Sequence, residues 1–203
     1  MTTQLDINKP EFWEEIYQGG RAGWDLGGPT PAFVRLLESG EFAPGRILVT
    51  CAGRGHDARE FARHGFQVDA VEFAADPVRY MHALADPRAP VRVFHADLFT
   101  LPHDLDGQYD YVLEYTCYCA INPARRPEYA DLIARLLKPR GVLIALIFPT
   151  QQKNGGPPFY APIPQVLEFF QTRGFELLQR QVPRDSVPQR KGAEELLIFQ
   201  KSR

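Results

Sequence analysis

The sequence has little charge imbalance, and this excludes several classes of partner. Its 203 residues carry 23 lysine and arginine against 25 aspartate and glutamate, for a formal net charge of −2. Nucleic acid is therefore not an expected partner, because such proteins present a basic surface to the phosphates. The nearest approach to a basic cluster is the short mixed segment RDSVPQRKG (184–192), which we interpret as a solvated loop.

Long apolar runs are also absent. No stretch approaches the roughly 18 continuous apolar residues of a membrane-spanning helix. The first residues, MTTQLDINKPEFW (1–13), lack the apolar segment that follows the charged start of a secretory signal. We therefore expect no membrane association and no export, and we predict a cytoplasmic location.

Cysteine is scarce, with only Cys51, Cys117 and Cys119. An odd number fits a reducing compartment and argues against a disulfide framework. Cys117 and Cys119 form a C-x-C pair, but no neighbouring histidine or second cysteine pair completes the four ligands of structural zinc, so we predict no metal. On a strand, the period of two would place both sulfurs on one face, where buried thiols act as small apolar groups.

What the sequence does contain is strand patterns that alternate with helical patterns, in a chain that is 44% hydrophobic. The alternation predicts a single-domain, doubly wound α/β fold with a mostly parallel seven-stranded sheet and helices on both faces. The predicted strands span 46–50, 67–73, 91–96, 109–116, 141–149, 174–182 and 194–200. The last two are joined directly, so we expect an antiparallel C-terminal strand at one edge.

Several helix ends have recognisable signals. Asp76 before Pro77 predicts an N-cap and a first helical residue, with Val78, Met81 and Ala85 continuing the apolar stripe. An i, i+3, i+4 pattern from Tyr129 predicts a second helix, which Pro139 and Gly141 end.

Two further helices are predicted outside this central region. Thr30 before Pro31 predicts the start of a helix that Gly40 ends. Segment 163–174, IPQVLEFFQTRG, has the pattern of an amphipathic helix.

The segment RILVTCAGRG (46–55) predicts a buried strand that runs into a Gly-x-Gly turn and then a helix. In an open parallel sheet, the loop after the first strand is the usual ligand site. Gly53 and Gly55 let the backbone approach a ligand, but Cys51 stands where a pyrophosphate-binding turn needs glycine. An ordinary strand-to-helix turn remains the alternative for this segment considered alone.

Two acidic residues at the ends of the next strands add to this loop. Glu72 ends the second strand, about 20 residues after the loop, where a carboxylate can accept both hydroxyls of a ribose. Asp97 follows the third strand, where it could accept a hydrogen bond from an adenine amino group. A nicotinamide site has no standard use for the second carboxylate. The combination favours S-adenosylmethionine, although either acid alone could be an N-cap or a loop residue.

Three separated segments resemble motifs of a known family. They are FWEEIYQGGRAGWDLGGPTP (12–31), EYTCYCAI (114–121) and GGPPFY (155–160). They are similar to W-x-x-x-Y-x-x-G…W-D-x-G-x-P-x-P, D-Y-T-F-F-C-A-I and G-G-P-P-Y in the class I S-adenosylmethionine methyltransferases. The resemblance is closest to the thiol and halide (thiocyanate) methyltransferase branch of the thiopurine S-methyltransferase superfamily, and it covers most of the chain.

The chain also departs from the motifs of this branch. The usual P-G-C-G-x-G is TCAGRG (50–55) here, the acid of the second strand is Glu72 where the branch has aspartate, and Phe159 replaces a tyrosine. The side chain of Cys51 could crowd the cofactor and weaken its binding.

The resemblance implies methyl transfer from S-adenosylmethionine, with S-adenosylhomocysteine as product, to a thiol, sulfide, thiocyanate or halide. An acceptor that is already an anion needs no general base, so no catalytic residue is assigned; Asp25 and Glu114 are possible acids or bases, and His56 and His95 are interpreted as structural. The predicted cofactor-binding residues are Trp24, Cys51, Ala52, Gly53, Glu72, Asp97, Leu98 and Glu114. The predicted acceptor-pocket residues are Trp13, Trp24, Tyr115, Tyr118, Phe159 and Tyr160.

The whole chain, 1–203, is predicted to be one methyltransferase domain, with residues 1–40 as a helical cover over the cofactor and acceptor cleft. The expected partner is a small-molecule acceptor, and the oligomeric state stays open. Two alternatives remain at this point. One is methylation of a larger aromatic thiol, as in thiopurine methylation, and the other is a cofactor-binding module without transferase activity, which Cys51 motivates.

Overall fold

The structure, a computed structural model, describes residues 6–203. The strands are β1 Arg46–Val49, β2 Gln67–Glu72, β3 Val91–His95, β4 Tyr109–Tyr115, β5 Leu137–Ile147, β6 Phe175–Gln181 and β7 Glu195–Lys201. They form one seven-stranded sheet in the order β3-β2-β1-β4-β5-β7-β6. The first five strands are parallel, and β7 runs antiparallel to both β5 and β6. The predicted sheet with an antiparallel C-terminal strand is confirmed.

Helices cover both faces of this sheet, as predicted. They are α1 Pro10–Gln18, α2 Pro31–Ser39, α3 His56–Arg63, α4 Ala75–Ala83, α5 Arg126–Leu136 and α6 Ile163–Gln171. The buried side chains of α2, α3 and α4 belong to one apolar core, and those of α5 and α6 belong to a second core on the opposite face. Helix α1 contacts α4. None of the helices within residues 6–203 is long and apolar enough to cross a membrane.

At the starts of α2 and α4, hydrogen bonds to carboxylates from other helices replace the local caps that the sequence predicts. Thr30 precedes α2 as predicted, but its hydroxyl donates to the Asp57 carboxylate (2.9 Å) and caps nothing within its own helix. Asp76 is not the N-cap of α4, because Ala74 occupies that position. The amide of Ala75, where α4 begins, donates instead to the carboxylate of Glu14 in α1.

Helix α5 and strand β5 meet without a loop. The helix begins at Arg126, before the predicted Tyr129, and ends at Leu136, before the predicted Pro139 and Gly141. Strand β5 begins at once because Leu137 pairs with Tyr109, ahead of a register shift in the β4–β5 ladder. Leu137, which the sequence pattern assigned to the helix, is therefore the first residue of β5.

The predictions that Cys117 and Cys119 lie on a strand and that the cysteines form no disulfide were wrong. Cys117 and Cys119 do not lie on a strand, because β4 ends at Tyr115 and the following Thr116 has a φ of +63°. Cys117 forms a disulfide with Cys51, and Cys119 is a free, buried thiol. Cys51 follows β1 and Cys117 follows β4. Because these strands are parallel neighbours, their carboxyl ends lie side by side and bring the two cysteines together.

Candidate active site

A cavity of about 440 Å³ lies beyond the carboxyl ends of β1 to β4. Strands β2 and β3 lie on one side of β1, and β4 and β5 lie on the other side. The strand order therefore reverses between β1 and β4, and the cavity lies at this point. Its volume is within the range of small-molecule sites. The predicted residues on its walls are Trp13, Trp24, Cys51, Glu72, Asp97 and Leu98.

A second cavity, of about 60 Å³, adjoins the first and shares Trp24 and Cys51 with it. Its walls bring in three more of the predicted residues, Ala52, Gly53 and Tyr115. The two cavities follow the loop that joins β1 to α3, which we call the glycine loop (residues 50–55). This loop therefore forms the wall between a large and a small compartment.

Both glycines of the loop have backbone conformations that favour glycine. Gly53 has a φ of +54° and Gly55 a φ of +68°. A Cβ on Gly53 would lie 3.3 Å from the hydroxyl of Tyr17, and one on Gly55 would lie 2.6 Å from the Met81 sulfur. Gly53 keeps the loop open to the cavity, whereas Gly55 allows α4 to pack close behind it.

Glu72 joins the glycine loop to the end of β2. Its carboxylate accepts backbone N–H groups from Gly53 (2.7 Å), Phe73 (2.7 Å) and Ala74 (2.8 Å). Burial raises the pKa of Glu72, and these three hydrogen bonds oppose that rise. The two oxygens of a carboxylate offer about four lone pairs, and three are used here, so the oxygen that accepts the Gly53 amide can accept one further hydrogen bond from a ligand in the cavity.

Asp97 is an N-cap residue that also lines the large cavity. One carboxylate oxygen accepts the Phe99 amide (3.0 Å), which makes Asp97 the N-cap of a short 3₁₀ turn. The other oxygen lies 3.9 Å from an Arg125 nitrogen, and the residue still lines the cavity. The guanidinium of Arg125 is stacked 3.5 Å from the centre of the Phe99 ring.

An aromatic cluster of Trp13, Tyr17 and Trp24 forms one side of the large cavity. The Trp24 ring meets Trp13 and Tyr17 edge to face, at centroid distances of 5.6 and 5.4 Å. The Trp24 indole N–H donates to the Tyr17 hydroxyl (3.0 Å), and the Trp13 indole N–H donates to the carbonyl of Ile7 (2.9 Å). The indole donors are therefore satisfied, and the rings present apolar surface.

Arg190 is a charged residue of the cavity wall that the sequence analysis missed. The segment interpreted as a solvated loop places Arg190 in the cavity wall with 5% of its surface exposed. Its guanidinium lies between the rings of Tyr115 (4.8 Å) and Phe148 (5.0 Å), and its Nη2 donates to the Trp24 carbonyl (2.9 Å). The Nη1 is buried without a hydrogen-bond partner among residues 6–203. No sequence signal separates Arg190 from its exposed neighbour Lys191.

Four predicted residues lie outside the walls of both cavities: Glu114, Tyr118, Phe159 and Tyr160. Glu114 is behind the glycine loop, where it accepts hydrogen bonds from the Tyr118 amide (2.9 Å) and the Thr50 hydroxyl (3.3 Å). Burial raises the pKa of Glu114 to about 7.

The three aromatic residues of this group are held elsewhere by their own packing. The Tyr118 ring is covered by the guanidinium of Arg126 at 4.4 Å. Phe159 packs against Gly156, where a Cβ would lie 2.5 Å from the ring, and the Tyr160 carbonyl accepts from Arg126 (2.9 Å). Pro157 and Pro158 of the same segment reach the cavity instead.

Asp25 braces the glycine loop from the outside. Its carboxylate accepts the Gly27 amide (2.9 Å) and lies 3.3 Å from an Arg54 nitrogen and 3.1 Å from His56. Burial lowers the pKa of His56, which favours its neutral form. His95 is exposed at the end of β3. The contacts of His56 agree with a structural role for that residue.

A family model described as thiopurine S-methyltransferase (TPMT) matches residues 8–201. The chain belongs to this family. It is 32% identical over 201 residues to "Probable thiol methyltransferase 2" of Arabidopsis thaliana, covering 98% of this chain and 88% of the relative. It is 33% identical over 189 residues to "Thiocyanate methyltransferase 1" of Brassica oleracea, covering 91% and 82% of the two chains.

The fold of this thiopurine S-methyltransferase family member is also that of solved methyltransferases. A structure of Burkholderia thailandensis 1,6-didemethyltoxoflavin-N1-methyltransferase, with bound 1,6-didemethyltoxoflavin and S-adenosylhomocysteine, is similar with a TM-score of 0.71 and 20% identity. The similarity covers 100% of this chain and 94% of the other. The chain is an S-adenosylmethionine-dependent methyltransferase that acts on a thiol-type acceptor, so the alternative of a module without transferase activity is wrong.

The cavity fits this cofactor. S-adenosylmethionine, when bound, supplies an electrophilic methyl group on a positively charged sulfur. Glu72 and Asp97 offer carboxylate acceptors on one wall, and Gly53 leaves the glycine loop without a side chain where it faces the site. These are the residues of this chain that would hold the cofactor.

Proposed function

We propose that the acceptor is a small soft anion, namely a thiolate, hydrosulfide, thiocyanate or halide. The observation that carries this proposal is Arg190, a largely buried cation on the cavity wall whose Nη1 has no hydrogen-bond partner among residues 6–203. A buried cation with an unused donor favours an anionic ligand, because charge-assisted hydrogen bonds are the strongest available to it. The thiol and thiocyanate methyltransferases to which the chain is similar have acceptors of this kind in their names.

The wall around Arg190 suits an anion that must lose water before it reacts. Trp13, Trp24 and Phe148 contribute apolar ring surface to the same cavity. Such a surface excludes water and leaves the guanidinium to position the anion. A soft anion carries its own lone pair, so no residue is needed to remove a proton. In this proposal the catalytic work of the chain is alignment and dehydration.

The cofactor-binding roles complete the proposal. Glu72 accepts one ribose hydroxyl, Asp97 accepts the adenine amino group, and the glycine loop receives the remainder of the cofactor. Residues 6–30, with α1, serve as the cover over the site, whereas α2 packs in the core beside α3, and residues 1–5 of the predicted cover lie outside the described residues. We place the reaction in the cytoplasm, with the small acceptor as the partner and neither nucleic acid nor membrane involved.

An acceptor panel with labelled S-adenosylmethionine tests the acceptor class. We expect activity to rise from chloride to bromide to iodide, with thiocyanate and hydrosulfide as good acceptors, because softer nucleophiles are dehydrated at lower cost. Bulky aryl thiols should react poorly. A wild-type preference for aryl thiols, with no reaction of thiocyanate, hydrosulfide or iodide at saturating cofactor, would replace this proposal with the thiopurine-like alternative.

Arg190→Gln tests the residue that carries the proposal. A hydrogen bond to a charged group is worth about 1.5–3 kcal/mol, so kcat/KM for thiocyanate should fall by roughly 10- to 150-fold. The affinity for S-adenosylhomocysteine, measured by calorimetry, should change less than about threefold. This retained affinity would show that the variant is folded. Lys191→Gln removes the neighbouring exposed charge and is the matched control. Equal losses in both variants would assign the effect to general electrostatics and contradict the role of Arg190.

A further inference from the structure

The Cys51–Cys117 disulfide joins the glycine loop to the segment after β4. The two Cα atoms are 5.3 Å apart, within the usual range for disulfides. Both cysteines depart from the motifs of the thiol and halide methyltransferase branch, which has glycine at position 51 and phenylalanine at position 117. Two departures in separate segments therefore meet in one covalent bond beside the cofactor site.

The two sulfurs have different environments. Cys117 is completely buried in an apolar core with neighbours such as Leu48 and Tyr129. Cys51 is only partly buried and lines both cavities. A small reagent that enters the site can therefore reach the sulfur of Cys51 but not that of Cys117. The remaining thiol, Cys119, also lines the large cavity, but burial raises its pKa to about 12, so it stays neutral and unreactive.

We propose that Cys51 and Cys117 form a reversible redox site that sets the affinity of the enzyme for S-adenosylmethionine. In the oxidised chain, the bond holds the Cys51 side chain against β4. When two electrons and two protons reduce the pair, the sulfurs can no longer remain at bonding distance. Cys117 is enclosed by the packed core, which resists displacement, so the Cys51 sulfur moves toward the cavity. There it crowds the cofactor, and the reduced enzyme binds the cofactor more weakly.

A small disulfide or thiol supplies the chemistry. In oxidation, the Cys51 thiolate attacks one sulfur of glutathione disulfide, forms a mixed disulfide and releases one glutathione. The Cys117 thiolate then attacks the Cys51 sulfur and releases the second glutathione. Two electrons and two protons have then passed from the cysteine pair to two glutathione thiols. Two molecules of a small thiol reverse both steps. Disulfides in reducing compartments commonly have redox-sensing roles of this kind.

Cofactor affinity in the two redox states tests the inference. Full-length protein is treated with glutathione disulfide or with dithiothreitol, freed of reagent under nitrogen, and titrated with S-adenosylhomocysteine by calorimetry. We expect Kd to be about fivefold or more lower in the oxidised form, from the usual cost of overpacking a site. Alkylation in denaturant, read by intact mass, should add one label to the oxidised chain and three to the reduced chain, since one of the three cysteines is free in the structure.

Two variants separate this site from a general effect of thiols. Cys51→Ala should make cofactor affinity independent of redox treatment, whereas Cys119→Ala should retain the difference. The inference is overturned if the glutathione disulfide-treated wild type takes up three labels, if Kd is equal in the two forms, or if the reduced form binds more tightly. The inference rests on the cofactor site of the proposed function and not on the acceptor, which is absent from these measurements. A failure of the proposed acceptor class would therefore leave the result intact.

Discussion

The two ends of the large cavity carry opposite charges, and they satisfy those charges in different ways. At the carboxylate end, Glu72 accepts three backbone amides, two of them from the residues that directly follow it. At the arginine end, Arg190 donates to one carbonyl, and its Nη1 has no partner among residues 6–203. The carboxylate end is therefore organised by the backbone before any ligand binds, whereas the arginine end keeps one N–H donor group without a partner among residues 6–203.

The largest effect is expected from breaking the carboxylate end. Glu72→Ala removes the acceptor that joins the glycine loop to β2, together with the acceptor offered to the cofactor. Since hydrogen bonds to charged groups contribute about 1.5–3 kcal/mol each, we expect Kd for S-adenosylhomocysteine to rise by roughly a hundredfold or more. Calorimetry on the folded protein measures it.

Asp69→Asn is the matched control, because Asp69 is another buried carboxylate on β2. It pairs with Arg46 (2.8 Å) and the Tyr109 hydroxyl (2.8 Å), away from both cavities. This variant should lose stability but keep its cofactor affinity. If Glu72→Ala binds the cofactor as well as Asp69→Asn does, Glu72 serves only the fold.

A third carboxylate, Glu114, lies behind the glycine loop. We expect it to make the free energy of unfolding depend on pH. Burial raises its pKa from 4.5 to about 7, so the folded state retains a proton that the unfolded state releases. The free energy of unfolding should therefore fall as pH rises from about 4.5 to 7, by on the order of 3 kcal/mol. Urea titrations across this range measure the change.

Glu114→Gln should remove the part of that pH dependence that Glu114 contributes, because the amide does not titrate. A further part should remain from Asp57, whose pKa burial raises to about 6, and from Glu72, whose pKa burial also raises. Glu128→Gln, at an exposed position paired with Arg125, is the control and should keep the full dependence. The same slope in the Glu114 and Glu128 variants would contradict the assignment.

The smallest effect is expected at Trp24, whose carbonyl accepts the hydrogen bond from Arg190. Trp24→Ala opens the apolar wall and removes the ring that contacts Trp13 and Tyr17. We expect kcat/KM for thiocyanate and iodide to fall roughly tenfold, because the water-excluding surface is lost, and to fall less for a bulky thiol. Steady-state kinetics with both acceptor types measures the ratio. Tyr118→Phe, whose hydroxyl is outside both cavities, should leave the ratio unchanged, and an equal ratio in the two variants would remove Trp24 from the acceptor site.

The strands could be predicted because their signal is local. Runs such as Arg46–Val49 and Glu195–Lys201 combine β-branched and other apolar residues between turn residues, and they are strands in the structure. The end of α2 at Gly40 has the same character, because a φ of +67° favours glycine whatever surrounds it. The start of α4 could not be predicted in this way, since its amide is satisfied by Glu14, which is 61 residues away.

By itself, the sequence determined the alternation of strands and helices, the glycine loop, and the positions of Glu72 and Asp97 at strand ends. Each depends on a residue and its near neighbours. Only the tertiary structure decided that Cys51 bonds Cys117, 66 residues away, and that Arg190 donates to Trp24, 166 residues away. The burial of a side chain and its hydrogen-bond partners are decided when distant segments pack together. Arg190 therefore lines the cavity, whereas its neighbour Lys191 is exposed to solvent.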